Sequence, residues 1–325
     1  MNLARRSILR LGAGLVVLST ASLIARAEPY PTRSLRLLVG FPAGSGADTS
    51  ARIIGQWLSD RLGQPVVVDN RPGAGTNIAA QAAVNSSPDG YTLLHISSTS
   101  ASNVTLYGSL RFNLLTDMAT VAGLARAPLV MVINPSIPAK DVAEFLSYAR
   151  INPNKINMAS VGVGTVVHLA GELFKAASGV NMLHVPYRGA PAALTDMIAD
   201  NVQVMFCTLP PALPHIRSGA LRALGVTTAT RVDVLPYIPP IGEGIPGYEA
   251  SIWEGLAVPT GTPREVIERL NREINAGLKD AAIKAQFGAI GATPMILTDG
   301  EFSTFFAAET ERWAKVIRAA KITVE

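Results

Sequence analysis

The sequence predicts an α/β protein with two lobes, each built around a mainly parallel sheet flanked by helices. Strand-like and helix-like stretches alternate with short loops through most of the chain, a pattern typical of parallel sheets covered by helices. Two stretches, one near residue 130 and one over residues 236–259, have the composition of crossings between lobes. One lobe is therefore expected from both ends of the chain and the other from its middle.

These crossings set the predicted domain boundaries. Lobe 1 spans residues 28–130 together with 252–325, and lobe 2 spans residues 131–251. Two lobes joined by two strands can close on a hinge, as many ligand-capturing proteins do.

Residues 1–27 are predicted to be an export signal and take no part in the fold. Three arginines (5, 6 and 10) precede an apolar run, and Ala25-Arg26-Ala27 has the small-x-small pattern of a cleavage site. The paired arginines resemble a twin-arginine signal, and a general secretory signal is the alternative. The predicted location is the periplasm.

Charge and cysteine content exclude some classes of protein. Four of the 28 Lys and Arg residues lie in the leader, so the remainder carries 24 basic and 24 acidic residues and no electrostatic footprint for nucleic acid. The single cysteine, Cys207, cannot form an internal disulfide, and its position after "VQVMF" predicts a buried strand end.

The first motif is "LRLLVGFPAGSGADTSARII", residues 35–54. An apolar strand, a glycine-rich turn and a helix from about Asp48 to Leu62 follow in order, with Asp48, Thr49 or Ser50 able to cap the helix. Free backbone N–H groups at such a turn suit an anion. The Lys-Ser/Thr of a phosphate loop is absent, and Thr49 replaces the third glycine of a dinucleotide fingerprint. An ordinary strand–helix turn is the alternative.

Further strands, turns and helices follow in the same alternating order. The strands "QPVVVDN" and "YTLLHIS" surround a second glycine turn, "RPGAGTN", and a small-residue helix. The second of these strands ends in hydroxyl residues at the predicted sheet edge. In the middle lobe come the strands "INMAS", "NMLHVPY", "VQVMFC" and "LRALGVTT", and the last part of the chain is mostly helical.

The middle lobe repeats the opening design. The strand "INMAS" leads to Gly162 and Gly164 and then to a helix that begins near Thr165. If the lobes face each other, residues 44–48 and 162–165 present opposed N–H groups to one cleft. Such a cleft could hold one carboxylate or both ends of a dicarboxylate.

Signatures of catalysis are missing from the sequence. There is no G-x-S-x-G motif, and the four histidines (95, 168, 184 and 215) lack metal-ligand spacing. His168 follows the second glycine loop and can either contact a ligand or brace the loop. We expect no metal, no cofactor and no enzyme activity, and a periplasmic α/β enzyme acting on a small acid is the main alternative.

Several motifs together resemble a known family. The segments are "YPTRSLRLLVGFPAGSGADTSAR", "GQPVVVDNRPGAGTNIAA", "GELFKAASGVNMLHVPYRG", "LPPALPHIRSGALRALGVTT" and "WEGLAVPTGTP". They resemble the Bug family, the extracytoplasmic substrate-binding proteins related to tripartite tricarboxylate transporters, over about residues 29–320. The resemblance implies a two-lobed periplasmic-binding-protein fold (type II-like) that closes around a small carboxylate.

The resemblance also implies the site residues. The first loop corresponds to Pro42, Ala43, Gly44, Ser45, Gly46, Ala47 and Asp48, and the second to Gly162, Val163, Gly164 and Thr165. The remaining positions are His168, the hydroxyl residues Ser98 and Thr99, the tyrosine motif Tyr187 and Gly189, and Cys207.

Departures from the family pattern bear on the ligand. The second loop reads Val163-Gly164-Thr165-Val166-Val167 where relatives are often polar, and Cys207-Thr208 replaces a common Asp-Asn. The predicted ligand is a monocarboxylate with an apolar or aromatic body, rather than citrate or an amino acid.

The predicted partners are membrane transporter subunits or a sensor, with the chain itself a monomer. A scaffold that binds no small ligand is a third interpretation.

Overall fold

The computed structural model describes residues 30–324, which contain a ten-stranded sheet and eleven α-helices. The predicted export signal lies outside the described residues. The strands are β1 (Leu35–Val39), β2 (Val66–Asn70), β3 (Thr92–Ser97), β4 (Met118–Ile133), β5 (Asn157–Ser160), β6 (Leu183–Pro186), β7 (Val204–Thr208), β8 (Arg222–Val226), β9 (Ser251–Pro259) and β10 (Thr293–Pro294).

Helices follow most of these strands. They are α1 (Gly46–Leu62), α2 (Asn77–Val84), α3 (Ser98–Leu106), α4 (Leu114–Asp117), α5 (Val142–Ile151), α6 (Val166–Ser178), α7 (Ala190–Ile198), α8 (Leu209–Arg217), α9 (Arg264–Lys279), α10 (Ala281–Ala289) and α11 (Asp299–Ala319). Two 3₁₀ turns cover Ala74–Thr76 and Ile241–Glu243.

The sheet has two halves that share one long strand. Its main order is β2-β1-β3-β9-β4-β7-β5-β6, with β10 and β8 paired to β4. The pairings β1–β2 and β1–β3 are parallel in what we call the first half, and β5–β6 and β5–β7 are parallel in the second half. The mixed α/β architecture predicted from sequence is confirmed.

Strand β4 changes partners along its length. From Met118 to Pro128 it pairs antiparallel with β9, and from Leu129 to Ile133 it pairs antiparallel with β7. Because one strand serves both halves, the chain crosses between them near residue 128, close to the crossing that the sequence predicts. The lobe boundaries at residues 130 and 251 themselves stay a prediction.

Apolar packing covers both faces of the first half and continues across the centre of the molecule. The strand "LRLLV" is buried at four of its five residues, as a strand covered on both faces should be. At the centre, the indole of Trp253 is fully buried among Phe302, Phe305 and Phe306, and its Nε1 donates to Glu309 Oε2 at 3.0 Å. Helix α11, which carries those phenylalanines, also packs on α3 and α6 and so contacts both halves.

Parallel strands place their carboxyl ends at one edge, and this determines where the helices begin. Helices α1 and α3 begin after β1 and β3 in the first half, and α6, α7 and α8 begin after β5, β6 and β7 in the second. Two of these helices, α3 and α8, were not predicted from the sequence. Helix α3 consists largely of hydroxyl and small residues, and α8 carries prolines at 210, 211 and 214. Prolines at the first helical positions are compatible with a helix because those N–H groups have no intrahelical partner.

Candidate ligand-binding cleft

The first glycine loop ends in a capped helix. Ser45 is the N-cap of α1, with φ −71° and ψ 163°, and its Oγ accepts from the N–H of Asp48 at 3.2 Å. The sequence-based choice of Asp48, Thr49 or Ser50 as the cap, and of Asp48 as the helix start, was therefore wrong. The helix begins at Gly46 because Ser45 already has the extended backbone and the hydroxyl that an N-cap needs.

Asp48 acts as a brace for this loop. Its Oδ2 accepts from the N–H of Gly44 at 2.8 Å, and its Oδ1 accepts from Asn70 at 2.9 Å. A hydrogen bond from the Arg52 side chain, together with those donors, lowers the pKa of Asp48 to about 2 although burial opposes the shift. The carboxylate faces its own loop and does not line the cavity between the two halves of the sheet.

The second glycine loop has the same construction. Thr165 is the N-cap of α6, with φ −67° and ψ 155°, and its Oγ1 accepts from the N–H of His168 at 3.4 Å. The Nδ1 atom of His168 accepts from the N–H of Gly164 at 3.1 Å, as Asp48 accepts from Gly44. The sequence left two roles open for His168, contact with a ligand or bracing of the loop. This hydrogen bond shows that the ring braces the loop, and contact with a ligand stays a prediction.

Each loop leaves two N–H groups at the helix start without a partner among the described residues. These belong to Gly46 and Ala47 on α1 and to Val166 and Val167 on α6. First-turn N–H groups cannot be satisfied within a helix, and the positive end of the helix dipole lies at the same place. All four residues line one cavity.

That cavity has a volume of about 670 Å³ and lies between the two halves of the sheet. The first half contributes Phe41, Gly44, Ser45, Gly46, Ala47, Thr49, Ser50, Ser97, Ser98 and Thr99. The second half contributes Val161, Thr165, Val166, Val167, Ala190, Met205, Cys207, Thr208, Leu209, Pro210 and Pro211. The connecting strands and the α10–β10 loop contribute Ala125, Arg126, Ala127, Pro128, Ile252, Glu254, Ala289, Ile290, Gly291 and Ala292.

The two halves contribute different chemistry to the wall. Hydroxyl groups are concentrated in the first half, at the starts of α1 and α3, whereas the second half supplies mainly aliphatic side chains and proline rings. Five helices, α1, α3, α6, α7 and α8, begin at this wall. The volume and the mixture of apolar surface with a few polar groups are typical of small-molecule sites.

Two charged side chains line the cavity. Arg126 is already engaged, because its guanidinium contacts Glu249 Oε1 at 2.9 Å and donates to Ser251 Oγ at 2.6 Å. Glu254 lies on β9 with its Oε2 3.7 Å from His95 Nε2. Burial would raise the pKa of Glu254, but the neighbouring His95 ring stabilises the carboxylate, outweighs burial and lowers the pKa.

Cys207 is the only cysteine in the sequence and also faces the cavity. Its residue is fully buried at the end of β7, as the sequence predicts, and burial raises the pKa of the thiol to about 12. The side chain is therefore a neutral thiol and a poor nucleophile. Within residues 30–324, no group of three or more His, Cys, Asp or Glu residues is arranged to hold a metal ion.

About half of the predicted site residues lie in the wall of this cavity. Those in the wall are Gly44, Ser45, Gly46, Ala47, Ser98, Thr99, Thr165 and Cys207. Those outside the wall are Pro42, Ala43, Asp48, Gly162, Val163, Gly164, His168, Tyr187 and Gly189. Contact of any of the seventeen residues with a ligand stays a prediction.

The predicted residues outside the wall mostly have structural partners. Tyr187 donates to Asp196 Oδ2 at 2.7 Å, and burial and that carboxylate together raise the pKa of the phenol to about 12. The His168 ring stacks on His184 with ring centroids 3.7 Å apart. The Val163 side chain is 43% exposed, and Gly189 precedes Ala190, which does reach the wall.

Sequence reasoning missed several wall residues. Leu209 and the prolines after it carried a usable signal, since proline directly after a strand is typical of a helix start. Glu254 also carried one, as a lone carboxylate inside an apolar strand. Residues 289–292 had no local signal, because only the packing of the α10–β10 loop brings them to the cavity.

The fold and this cavity define a class of protein: a mixed α/β molecule with two sheet halves and a ligand-sized cavity between them. Residues 50–322 match the family described as TctC, Tripartite tricarboxylate transporter family receptor. The chain belongs to this family, whose members are periplasmic solute-binding proteins, and the resemblance identified from the motifs is confirmed. In the part of the chain that the structure describes, none of the helices combines the length and apolar character needed to cross a membrane.

Individual relatives match over nearly the whole chain. Protein BugT of Bordetella pertussis is 37% identical over 308 residues, which cover 93% of this chain and 94% of that protein. The structure named R. palustris Rpa4515 with adipate is 35% identical, with a TM-score of 0.78, and the match covers 90% of this chain and 99% of that one. MatC from Rhodopseudomonas palustris with bound malate is 29% identical, with a TM-score of 0.74 and coverages of 89% and 100%.

Proposed function

We propose that this protein captures a small organic carboxylate in the cavity between its lobes and delivers it to a tripartite transporter or to a sensor. The observation that carries the proposal is the set of four free N–H groups at the starts of α1 and α6, which come from separate halves and line one cavity. Backbone N–H groups at helix starts are suited to carboxylate oxygens. The relatives solved with adipate and malate support the same ligand class.

We further propose that the preferred ligand is a monocarboxylate with an apolar or aromatic body. Away from the hydroxyl-rich starts of α1 and α3, the wall consists mainly of Val166, Val167, Met205, Leu209 and proline rings. A second charged group placed against this surface would lose its hydration without gaining a partner, which costs about 1–3 kcal/mol or more. The cavity volume of about 670 Å³ is ample for a benzoate-sized acid.

Closure of the lobes is the proposed capture step. The proposed lobes comprise residues 28–130 with 252–325 and residues 131–251, and the proposed hinge is β4 with the segment that leads into β9. Closure would bring the two sets of N–H groups onto one carboxylate and would exclude water. The chain is proposed to act as a monomer in the periplasm, after removal of residues 1–27.

We propose binding without catalysis. Among the described wall residues, Arg126 is paired with Glu249, and Cys207 is a thiol whose pKa is raised to about 12. Burial would raise the pKa of Glu254, the other charged wall residue, but the His95 ring beside it lowers that pKa, which makes the carboxylate a weak base. None of the three is poised as a general base or a nucleophile. Quantitative recovery of unchanged ligand after long incubation would support binding alone, and any turnover would instead support the periplasmic enzyme.

The test removes one free N–H group from each helix while the helix is retained. In Gly46→Pro and Val166→Pro, proline replaces the first helical residue, where it is tolerated, and the preceding N-cap has the extended backbone that proline requires. Ala281→Pro is the matched control, because it makes the same change after the extended N-cap Asp280 on α10. Calorimetric titration and thermal shift with benzoate, adipate and citrate measure binding.

Wild type and Ala281→Pro are expected to bind at least one of these acids. A ligand at 100 times its dissociation constant adds about 2.7 kcal/mol to the free energy of unfolding, which gives a clear thermal shift. Gly46→Pro and Val166→Pro should each weaken binding about tenfold or more, since each removes one hydrogen bond to a charged group. Unchanged affinity in both variants would contradict the proposed carboxylate site, and tight citrate binding without benzoate binding would contradict the proposed ligand body.

A further inference from the structure

Two polar side chains, Ser97 and Glu254, lie at the base of the cavity. Ser97 ends β3, and Glu254 lies directly opposite it in the antiparallel pairing of β3 with β9. Both residues line the cavity. The Oγ of Ser97 and the Oε2 of Glu254 are buried and have no close hydrogen-bond partner among the described residues. Ser97 is also the N-cap of α3, in a capping box with Ser100 in which its Oγ faces a backbone N–H as an acceptor and its O–H stays available to donate. Buried polar groups are normally satisfied, so these two at a cavity wall indicate a group supplied from outside.

The surroundings keep this carboxylate in its acceptor form. His95 lies two residues before Ser97 on the same face of β3, with its side chain fully buried and its Nε2 3.7 Å from Glu254 Oε2. The side chain of Ser50, on the first turns of α1, is a further neighbour of the carboxylate. No arginine or lysine within the described residues forms an ion pair with Glu254, whose only ion-pair neighbour there is His95. An ionised carboxylate can accept hydrogen bonds but cannot donate them.

We propose that Ser97 and Glu254 form a second recognition point in the cavity, which binds a hydroxyl group on the body of the carboxylate ligand and rejects a second carboxylate. This inference rests on the proposed function, because it assigns the other end of the same ligand. A hydroxyl donates one hydrogen bond and accepts others, which matches Glu254 as acceptor and Ser97 as donor. An ammonium group cannot accept from Ser97. A carboxylate would be repelled by Glu254.

The spacing along α1 suggests where the hydroxyl is carried. Ser50, a neighbour of the Glu254 carboxylate, lies four residues beyond Gly46, and its Oγ donates to the Gly46 carbonyl at 3.0 Å. The Ser97–Glu254 pair is therefore expected within about one helical turn of a carboxylate bound at Gly46 and Ala47. In a hydroxybenzoate, a hydroxyl at the 3- or 4-position of the ring lies on the side away from the carboxylate, where it can face this pair.

The experiment compares benzoate, 3-hydroxybenzoate, 4-hydroxybenzoate and adipate by calorimetric titration. Wild type is expected to bind one of the two hydroxybenzoates at least about tenfold more tightly than benzoate, the ratio expected for one buried hydrogen bond to a charged group. Ser97→Ala removes the donor, and Glu254→Gln replaces an ionised acceptor by a weaker neutral one. Each variant should reduce the hydroxybenzoate-to-benzoate ratio to about threefold or less.

Glu254→Gln should also bind adipate about tenfold more tightly than wild type does, because the repelling charge is gone. Glu311→Gln is the matched control, since it removes the same charge from an exposed position on α11. It should leave all four affinities unchanged. Circular dichroism and thermal unfolding establish that each variant is folded, and the wild-type ratios alone still decide the question if one variant fails to fold.

The outcomes separate this inference from the proposed function. If wild type binds benzoate as tightly as both hydroxybenzoates, the second recognition point is wrong while the carboxylate site stands. The second recognition point is equally contradicted if Glu254→Gln gains no affinity for adipate. If wild type binds none of the four acids, both proposals fail.

Discussion

The two glycine loops of this protein are built alike but held differently. In each, a glycine with positive φ precedes a hydroxyl N-cap, and the residue three positions after the cap accepts a hydrogen bond from that glycine. The φ angles of Gly44 and Gly164, 81° and 75°, are nearly the same. In the first loop the brace is a carboxylate tied to Arg52, and in the second it is an imidazole stacked on His184.

Their surroundings also differ. A Cβ at Gly44 would meet nothing within 4 Å, whereas a Cβ at Gly164 would lie 2.5 Å from Leu106 Cδ1. Leu106 ends α3 of the first half, so the second loop rests against the opposite side of the cleft. Two loops can therefore present the same free N–H groups while only one of them depends on contact across the cleft. The backbone pattern defines the proposed anion site, and we expect the braces to determine its response to mutation and pH.

The largest expected effect comes from adding one methyl group to each loop. Gly164→Ala should lower the free energy of unfolding by about 2–4 kcal/mol, because it combines a strained left-handed backbone with overpacking against Leu106. Gly44→Ala should cost only about 1–2 kcal/mol, from the backbone alone. Gly63→Ala, a helix C-cap with φ 70° and open space around it, is the control for the backbone term. Urea unfolding measures all three, and equal losses at Gly44 and Gly164 would mean that the Leu106 contact is unimportant.

A smaller effect separates the surroundings of the two loops by pH, through the Asp48 brace of the first loop and through His184, on which the His168 brace of the second loop stacks. The pKa of His184 is lowered from 6.5 to about 4, first by burial and then by the charge of His168, so unfolding takes up a proton in this range. Stability at the second loop should therefore be complete above pH 6.5 and fall as the pH drops towards 4. The pKa of Asp48 is lowered from 3.8 to about 2, so the first loop should lose stability only below pH 4.

Thermal unfolding of wild type, His184→Gln and Asp48→Asn as a function of pH measures these two windows. Relative to wild type, His184→Gln should flatten the profile between pH 6.5 and 4, and Asp48→Asn should flatten it below pH 4. At neutral pH, Asp48→Asn should cost about 1–3 kcal/mol, because it weakens charge-assisted hydrogen bonds. Coincident windows for the two variants would show that the groups around the two loops do not act separately.

The smallest expected effect is at Val163. The family resemblance assigns this residue to the ligand site, but the residue lies outside the cavity wall. Val163 is 43% exposed, so Val163→Asn should change the free energy of unfolding by less than about 0.5 kcal/mol and leave carboxylate affinity unchanged. Val234→Asn, at a position that is 45% exposed, is the matched control. A large gain or loss of binding in Val163→Asn alone would restore Val163 to the ligand site.

Much of the fold was predictable because it is encoded locally. The run "LRLLV" and the glycine turns predicted β1 and the two loops, since burial on both faces and positive φ each demand particular residue types. Helix α3 was missed because Ser98, Thr99 and Ser100 have weak helix propensity. Its formation depends on packing against β9 and α11.

The site was only partly predictable, for a related reason. Residues 44–47 and Thr165 could be assigned from motifs, because an N–H donor at a helix start needs only a local turn. Asp48 and His168 lie in the same motifs, yet the hydrogen bonds they form turn them towards their own loops. Whether such a side chain faces a ligand or its own backbone depends on atoms several residues away, and the motif does not contain that information.

The sequence by itself determined that two glycine turns, each followed by a capped helix, would expose unpaired N–H groups, because backbone geometry and capping depend on neighbouring residues. Only the tertiary structure decided that the two helix starts share one cavity, and that Glu254, from a strand more than 150 residues after Ser97, lies opposite it at the cavity base. Strand pairing brings distant residues together through register and burial of both halves, and those are properties of the assembled sheet.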